Sequence, residues 1–445
     1  MKSLIKNNVP ALNILLIAIL LGATGCRNHT KNQSAGKEKK NLSFEALSKE
    51  NQKIIDDLQY RSFLFFWDGY HPQTGLIGDA DKPEKNRSSI ASVGFGLSAY
   101  CIGESHGWVS REEVYDRVLT ILNSFHKDPN DPNDFYVEGT HGFFYHFIHT
   151  DSGKRHGKCE VSTIDTAILM AGVLHVMEHF KGTEVEALAR KVYEAAEWDW
   201  FTLKNGAIAG GWKPEKGIEG EYKGYNEYSL VYLLAFGSPT HPMPTSSWDA
   251  YSSGFGYEWI KPYPHIGKFM TPHGIMQPLA YLYQFPACWI DFRNKTDKYC
   301  NHWEVATNAL LANREYCRSW GKANGYHPDL WGWTACAGRD GYQGFMHPFN
   351  GTIAPSASVA SLPFTPNESM FAIRYMYENY GEKIWGKYGF IDAFNPKQDW
   401  YDDGYLGIDQ GNTVLMIENY RTGMVWDECS KNPIIDKGMQ IAGIK

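Results

Sequence analysis

Two neighbouring stretches, STIDTAILMAGVLHVMEHF (162–180) and TEVEALARKVYEAAEWDWF (183–201), decide the fold. The first is apolar or small on nearly every side, so a helix formed from it has to be buried all round. In the second, apolar residues recur at helical spacing with charges between them, and Thr183 and Glu186 stand in capping-box register. The pair therefore predicts a fully buried helix joined to a half-exposed one.

The same alternation continues along the chain. Helices of the buried class are predicted at 88–102, 162–180, 227–236, 273–290, 353–362 and 412–420. Amphipathic helices are predicted at 43–67, 110–127, 183–201, 301–320 and 367–380, with a sixth in the aromatic region 246–260. Six inner helices alternating with six outer ones predict an all-α (α/α)6 barrel, a double-layered helical toroid formed by one domain over 43–445.

Acidic residues stand where the predicted inner helices begin. Each inner helix is joined to the next through an antiparallel outer helix, so all inner helices run the same way and their N-termini meet at one mouth. Glu160, Asp165 and Glu227 stand at such starts. Asp409 precedes the last inner helix, between glycines that allow the backbone to approach closely. We expect these carboxylates to share one cleft.

Local helix capping is the alternative explanation for two of these residues. Ser162 and Asp165 have the spacing of a capping box, and a carboxylate in a first helical turn is favoured by the helix dipole alone. Glu227 follows Asn226, which is itself a good N-cap residue. The recurrence of acidic groups at one predicted face favours a site over capping.

The composition adds a chemical indication. Phe, Trp and Tyr make up 15% of the chain, and aromatic faces beside polar groups suit sugar rings. Glycoside hydrolysis uses one protonated acid for the leaving oxygen and one ionised carboxylate that activates water or attacks directly. Paired carboxylates in an aromatic cleft therefore predict this chemistry.

The chain resembles the bacterial glycoamylase-like proteins, which include inverting endo-β-1,2-glucanases. The likeness spans nearly the whole chain after its first 42 residues. The motifs that carry it are FFWDGYHPQTGLIGD (65–79), SSIASVGFGL (88–97), CEVSTIDTA (159–167), GYNEYS (224–229), WIDFRN (289–294), GTIAPSASVASLPFTP (351–366) and GIDQGNTVLMIENYRTGMVW (407–426). The resemblance implies an (α/α)6 barrel that acts on β-linked glucan without metal or organic cofactor.

The resemblance also implies residue roles. Glu227 in GYNEYS is expected to be the general acid and Asp409 in GIDQG the base that activates water, with Glu160 and Glu227 as the alternative pair. Glu160 and Asp165 are expected as further active-site acids. The residues expected to bind substrate are Asp68, Arg87, Trp212, Tyr225, Trp289, Arg293 and Arg421, although each arginine suits a structural ion pair equally well.

The N-terminus has the pattern of an export signal. Residues 1–26 combine a positive start, a short apolar run and small residues before Cys26, which resembles the lipobox of a lipidated bacterial protein. Residues 27–42 are polar and Lys-rich, as in a flexible tether. We expect a monomeric exported lipoprotein that faces the periplasm or is anchored to the outer membrane, and that touches the membrane only through Cys26.

Other partners and cofactors are not indicated. The net charge is −7 and no basic cluster occurs outside the tether, which argues against nucleic acid. CxxC and HExxH motifs are absent, so no zinc site is predicted, and the seven cysteines after Cys26 allow one or two disulfides. DPNDPND (128–134) lacks the bidentate Glu of a calcium loop and is interpreted as a surface loop.

Three other functions stay open at this point. A glucoamylase-type hydrolase of α-glucan fits the same barrel and carboxylates. A lipid-anchored glycan-binding protein needs aromatic platforms but no buried acids at the mouth. A sugar epimerase or lyase relies on His or Tyr, and His273 is the single histidine at a predicted inner-helix start; the other histidines, His146 among them, are interpreted as structural.

Overall fold

The computed structural model describes residues 42–127, 135–252, 256–258, 265–271, 278–344 and 348–445. Asn41–Lys445 forms one compact unit. The predicted signal peptide with Cys26, nearly all of the tether, the 128–134 loop and His273 lie outside the described residues.

Helices dominate the described part of the chain. They are α1 Lys49–Asp68, α2 Ile90–Ser105, α3 Arg111–Phe125, α4 Thr163–His179, α5 Glu184–Glu194, α6 Ser229–Gly237, α7 Ser247–Ser252, α8 Tyr281–Ala287, α9 His302–Asn324, α10 Pro355–Val359, α11 Pro366–Ile384, α12 Gly407–Arg421, α13 Met424–Cys429 and α14 Pro433–Ala442.

The even-numbered helices from α2 to α12 form the inner ring, and the odd-numbered helices from α1 to α11 lie outside it. The inner helices are buried along nearly their whole length, whereas α1, α3, α5, α9 and α11 bury one face. Helix α2 packs against α4, α4 packs against α6, and α12 packs against α2, which closes the ring. The predicted (α/α)6 barrel is confirmed.

Local sequence fixes the ends of several helices. Ser110 and Glu113 form a complete capping box at the start of α3. The box predicted at Thr183 does not form, because the Thr183 hydroxyl donates to the carbonyl of Phe180 (2.6 Å). Glu186 accepts instead from the N–H of Gly182 (2.7 Å). The carboxylate still satisfies a free N–H at the helix start, one residue earlier than predicted.

Short antiparallel pairs of strands lie in the segments between the helices. The strands are β1 Ser88–Ser89, β2 Gly139–Thr140, β3 Phe143–Phe144, β4 Phe147–Ile148, β5 Val161–Ser162, β6 Gly211–Lys213, β7 Gly217–Glu219, β8 Gly256–Glu258, β9 Phe269–Thr271, β10 Trp385–Gly386, β11 Gly389–Phe390, β12 Phe394–Asn395 and β13 Trp400–Tyr401. The pairs are β1–β4, β2–β3, β5–β6–β7, β8–β9, β10–β11 and β12–β13. Each strand has two or three residues, so these ladders hold loops rather than build a layer.

Three helix predictions need correction. Helix α12 begins at Gly407 and not at residue 412, so Asp409 lies inside its first turn. Helices α8 and α10 are much shorter than the predicted 273–290 and 353–362. Ile353 pairs with Phe394 in a β-bridge, which places the start of α10 at Pro355. Helices α13 and α14 were not predicted at all.

Two further predictions concern the membrane and the cysteines. Among the described residues, no helix is long and apolar enough to cross a membrane. The seven cysteines after Cys26 are all free in the structure. The disulfides that the sequence allowed are therefore not formed.

Candidate active site

A cleft of about 590 Å³ lies at the end of the barrel where the inner helices begin. Its lining includes Ser89 just before α2, Asp165 in α4, Glu227 just before α6, Tyr281 at the start of α8 and Ile408 in α12. The predicted convergence of the inner-helix N-termini on one mouth is confirmed by this lining.

The described lining of the cleft also contains charged and aromatic side chains. They are Asp79, Lys82, Lys85, Arg87, His146, Phe147, Phe285, Tyr342, Asp402 and Tyr405. No tryptophan is among the described lining residues, and the tryptophans at 198, 289, 331, 333 and 426 are fully buried in the core. The high aromatic content therefore serves packing more than it serves the cleft.

Glu227 presents its carboxyl group to this cleft. The turn around it is held by its neighbour Asn226, whose side-chain oxygen accepts the N–H of Tyr228 (3.0 Å) and whose own N–H donates to the Tyr251 hydroxyl (3.1 Å). Glu227 Oε2 is enclosed and has no hydrogen-bond partner among the described residues. The local turn thus uses Asn226 and leaves the Glu227 carboxyl available to a ligand.

The environment of Glu227 favours its protonated form. Burial raises the pKa of the Glu227 carboxyl to about 7, and the charge of nearby Asp165 adds to the rise. A carboxylic acid with this pKa still carries a proton close to neutral pH and can donate it.

Asp165 has both of the roles that the sequence left open. The Ser162 hydroxyl donates to Asp165 Oδ2 (2.5 Å) and accepts the N–H of Asp165 (3.3 Å), so the capping interaction is formed. Asp165 Oδ1 lies 3.6 Å from His146 Nε2, and the side chain lines the cleft. The cap holds the carboxylate in position without removing it from the site.

His146 joins Asp165 to Glu160. Its Nδ1 lies 3.0 Å from Glu160 Oε1, and Lys213 Nζ lies 3.8 Å from the other oxygen of Glu160. The backbone fixes this arrangement, because the N–H of His146 donates to the carbonyl of Glu160 (2.9 Å) and β5 pairs with β6 directly behind it. His146 has the partners expected of a structural histidine, and it also lines the cleft.

His146 and Glu160 stabilise each other's charged forms. Burial acts to lower the pKa of His146, but the charges of Asp165 and Glu160 outweigh it and raise the pKa to about 9. The hydrogen bond from His146 lowers the pKa of Glu160 to about 2 against the opposing effect of burial. An imidazolium hydrogen-bonded to the Glu160 carboxylate is thus the stable state at neutral pH.

Asp409 lies behind the cleft wall rather than in its described lining. It is 4% exposed, and its Oδ1 accepts a hydrogen bond from the Ser356 hydroxyl (2.7 Å) at the start of α10. Burial raises the pKa of Asp409 to about 6, against the hydrogen bond from Ser356, which lowers it. Its neighbours Leu406 and Ile408 line the cleft itself.

The residues expected to bind substrate separate into two groups. Arg87 lines the cleft, where it is paired with Asp79 (2.5 Å) and lies over the ring of Phe147. Asp68 at the end of α1 bonds to Lys387 (2.7 Å) outside the described lining. Trp212 pairs with β5 behind Glu160, and Tyr225 is buried against Tyr283 and His302.

Three of the predicted substrate residues lie outside the described lining of the cleft, at or beyond the C-terminal ends of inner helices. Trp289 lies just after α8, is buried, and donates its indole N–H to Ser98 in α2 (2.8 Å). Arg293 pairs with Asp291 (2.8 Å), and Arg421 at the end of α12 pairs with Asp56 (3.0 Å). Their distance along the inner helices removes them from the mouth, so the prediction of substrate contact is not supported for these three.

The sequence analysis missed Asp392. This residue is 2% exposed, lies next to Asp409, and accepts the N–H of Ala337 on Oδ2 (2.6 Å). The available signal was a single acid inside the apolar run FIDAF (390–394). A carboxyl group surrounded by apolar residues is seldom buried without a specific partner.

One cluster of possible metal ligands occurs among the described residues. It consists of Asp297, Cys300 and His302, which lie outside the cleft. Asp297 already accepts hydrogen bonds from the indole of Trp248 (2.9 Å) and from the N–H groups of Tyr299 and Cys300 (2.8 and 2.9 Å). These contacts give the cluster a structural role without a metal.

Comparisons with known proteins agree with this fold. A family model described as "Putative glucoamylase" matches residues 220–433. The chain is 28% identical over 427 residues to an exo β-1,2-glucooligosaccharide sophorohydrolase of Parabacteroides distasonis, an alignment that covers 88% of this chain and 58% of that protein. The chain thus spans less than two thirds of this relative.

Solved structures give the same picture. The endo-β-1,2-glucanase of Chitinophaga pinensis, solved with sophorotriose and glucose, has a TM-score of 0.81 and 29% identity and covers 90% of this chain and 99% of its own. A β-1,2-glucanase of Parabacteroides distasonis has a TM-score of 0.80 and 25% identity, covering 88% of this chain and 60% of its own. The endo-β-1,2-glucanase of Talaromyces funiculosus, at 13% identity and a TM-score of 0.64, shares the fold.

Proposed function

We propose that this chain, which belongs to the glycoamylase-like family, is a glycoside hydrolase that cleaves β-1,2-linked glucan with inversion. The observation that carries the proposal is Glu227, a carboxyl group with a raised pKa facing a cleft at the mouth of the barrel. The relatives named above supply the substrate class. The reaction needs no metal or organic cofactor in this scheme.

The protonated Glu227 serves as general acid. It donates its proton to the glycosidic oxygen as the bond from that oxygen to the anomeric carbon breaks. A water molecule forms the new bond to the anomeric carbon from the opposite face and loses one proton to an ionised carboxylate. Glycan and water become two shorter glycans; the base then releases its proton to solvent, and the acid regains one from solvent.

Asp409 is the best candidate for the carboxylate that takes the water's proton. Asp165 is engaged by Ser162 and His146, and Glu160 by His146 and Lys213. Asp409 Oδ2, in contrast, has no hydrogen-bond partner among the described residues. Because Asp409 lies behind the lining, the proton has to cross the part of the cleft wall that Leu406 and Ile408 form.

The remaining charged groups at the mouth bind sugar. A glucose unit presents hydroxyls that both donate and accept hydrogen bonds. Asp165 and Arg87 offer a carboxylate and a guanidinium to the cleft, and Tyr342 offers an exposed ring face for stacking. The imidazolium of His146 keeps Glu160 ionised, and its contacts hold both Glu160 and Asp165 in place.

We propose endo rather than exo cleavage. The endo-acting relative from Chitinophaga pinensis is covered over 99% of its length, so the barrel seen here is nearly that whole protein. The exo-acting relative is covered over 58% of its length. This difference in coverage favours endo cleavage, because the endo-acting relative is nearly all barrel.

We further propose that the protein is a monomer attached to the outer membrane through a lipid on Cys26. The lipobox-like end of the apolar N-terminal run and the polar tether after it support this proposal.

Product analysis on purified residues 27–445 tests the activity. The substrates are linear β-1,2-glucan, β-1,3-glucan, β-1,4-glucan and starch, with residues 27–445 carrying Glu227→Gln in parallel. We expect short β-1,2-linked oligosaccharides from the first substrate alone. Cleavage of starch alone would replace the proposal by a glucoamylase-type activity, and binding without cleavage of every glucan would replace it by a glycan-binding protein.

A further inference from the structure

A small closed cavity lies directly behind the cleft wall. Its volume is about 10 Å³, and its polar lining consists of Ser62, Ser356, Asp392, Asp409, Gln410 and Thr413. The cavity is next to the cleft, because Ala337, whose N–H holds Asp392, is itself a lining residue of the cleft. Asp392 and Asp409 therefore lie side by side, and residues of the cleft wall such as Ala337 separate them from the proposed site of reaction.

Each of three side chains around this cavity uses one polar atom and leaves the other without a partner. Asp392 Oδ2 accepts from Ala337 (2.6 Å), Asp409 Oδ1 accepts from Ser356 (2.7 Å), and Gln410 Nε2 donates to the carbonyl of Phe390 (3.1 Å). The atoms without a hydrogen-bond partner among the described residues are Asp392 Oδ1, Asp409 Oδ2, Gln410 Oε1 and Ser62 Oγ. The engaged atoms fix the orientation of the side chains, so the unpaired oxygens are turned towards this cavity.

The two carboxyl groups also lack a compensating positive charge. Neither Asp392 nor Asp409 forms an ion pair with any residue that the structure describes. The titratable groups that act on them are Asp402, Cys336 and Tyr342, which are acidic or neutral. Two adjacent buried carboxylates cannot both stay ionised under these conditions, since each would repel the other in a medium of low dielectric constant.

A single proton accounts both for the unpaired carboxyl oxygens and for the two adjacent negative charges. Placed on Asp392 Oδ1, it gives Asp392 a hydroxyl that donates to Asp409 Oδ2 and supplies a partner to both unpaired carboxyl oxygens. It also leaves one negative charge in place of two. A single water in the remaining space would satisfy Gln410 and Ser62, and the cavity has about the volume that one water needs.

We propose that Asp392 is a permanently protonated carboxylic acid that donates a hydrogen bond to the ionised Asp409 and so positions Asp409 as the base. Asp392 is thus a positioning residue. The proposal rests on the proposed function for the role of Asp409. In support, burial raises the pKa of Asp392 well above its ordinary value, whereas the hydrogen bond from Asp392 acts to lower the pKa of Asp409.

The variant Asp392→Asn tests the proposal because an amide imitates a neutral carboxylic acid. Its oxygen still accepts from Ala337 and its NH₂ group still donates to Asp409. We expect Asp392→Asn to retain activity within about tenfold of the wild type, the scale of one hydrogen bond, with the acid limb of its pH profile unmoved. Asp409→Asn should lose about 10²–10⁴-fold in kcat.

Asp392→Ala completes the series. Without the donated hydrogen bond the pKa of Asp409 rises, so the acid limb of the pH–rate profile should move to higher pH. A loss of kcat in Asp392→Asn as large as that in Asp409→Asn would overturn the proposal, because Asp392 would then have to act as a charged group. Asp392→Asn keeps this test available if the alanine variant does not fold.

A spectroscopic readout separates this proposal from the proposed function. Infrared spectra of the protein with ¹³C-labelled aspartate carboxyls should show a protonated carboxyl band at neutral pH that is absent in Asp392→Asn. This band is expected whether or not any glucan is cleaved. Absence of the band in the folded wild type, or a folded state whose stability depends on added Na⁺ or K⁺, would contradict a shared proton.

Discussion

The described carboxyl groups around the mouth show how burial and partners divide one chemical type between different roles. Burial raises the pKa of Glu227 to about 7, although a backbone hydrogen bond opposes the rise. Glu160 receives a hydrogen bond from His146, so its pKa falls to about 2. Burial raises the pKa of Asp409 from its ordinary 3.8 to about 6, and the hydrogen bond from Ser356 opposes the rise. Burial and hydrogen bonding thus move these carboxyl groups in different directions.

The pH dependence of hydrolysis follows from the two values. Activity needs Asp409 ionised and Glu227 protonated, so kcat/KM should rise as pH passes about 6 and fall as pH passes about 7. The initial rate of β-1,2-glucan cleavage measured from about pH 4 to about pH 9 checks this bell shape. A rate that keeps rising above the Glu227 pKa would remove Glu227 as the acid.

His146 gives a second prediction at the same scale. Its folded-state pKa of about 9 lies above the ordinary 6.5, so its stabilising effect is complete below pH 6.5 and is lost as pH rises through 9. The melting temperature of His146→Gln should therefore lie furthest below that of the wild type on the acid side of pH 6.5, down to about pH 5. The difference should shrink towards pH 9. A difference that does not change with pH would show that packing, and not charge, holds this histidine.

Residue types alone predicted part of this site. Glu227 and Asp165 were found because they stand at inner-helix starts, and the barrel topology brings those starts together. Trp289 and Arg421 were assigned to the substrate because tryptophan and arginine are common in sugar sites, but both lie near inner-helix ends. Asp392 was missed because it follows a short strand, and no helix pattern points to its position.

Close contact between α2 and α4 is the clearest feature at the scale of elements. A Cβ on Gly94 would lie 2.4 Å from the carbonyl oxygen of Ile168 and 2.6 Å from Leu169 Cα, and a Cβ on Gly172 would lie 2.1 Å from the carbonyl oxygen of Gly94. The two inner helices approach until their backbones touch. Side chains at these positions would force the ring open.

Gly94→Ala should therefore lower the free energy of unfolding by about 1–3 kcal/mol, the usual cost of overpacking. Gly381→Ala is the matched control, since Gly381 also lies in a helix but has nothing within 4 Å of the added Cβ. The control should gain about 0.5–1 kcal/mol from the better helix propensity of alanine. Urea unfolding of both variants measures the difference, and equal changes would contradict the packing argument.

Sequence periodicity located a helix correctly where the whole surface of that helix has the same environment. It located α2 and α4 to within a few residues because their whole surface is apolar. It failed for α14, where Gly438 interrupts the pattern; the structure uses this glycine to place α14 against α6, because a Cβ there would lie 2.0 Å from the carbonyl oxygen of Leu233. Contacts between distant segments decide such positions, and one sequence does not contain them.

At the scale of the whole molecule, a closed ring of inner helices turns scattered motifs into one site. Residues as far apart in sequence as Ser89 and Ile408 line the same cleft because α12 packs against α2. The described lining takes residues from at or near the starts of α2, α4, α6, α8 and α12, five of the six inner helices.

Attachment to the membrane is predicted to depend on one residue. Cys26→Ser removes the sulfur that would carry the lipid, so the protein should move from the membrane fraction to the soluble fraction and lose incorporation of labelled palmitate. The activity of solubilised protein should stay the same, because the barrel begins after the tether. Equal membrane association of both forms would contradict the lipid anchor.

The role of Glu227 is the central claim, and the rate of β-1,2-glucan cleavage by Glu227→Gln tests it most directly. Glu221→Gln is the matched control, since Glu221 lies outside the described cleft lining and pairs with Lys223 (3.0 Å). We predict that kcat falls by about 10²–10⁴-fold in Glu227→Gln and is unchanged in Glu221→Gln. A Glu227→Gln variant that cleaves β-1,2-glucan at the wild-type rate would contradict the claim.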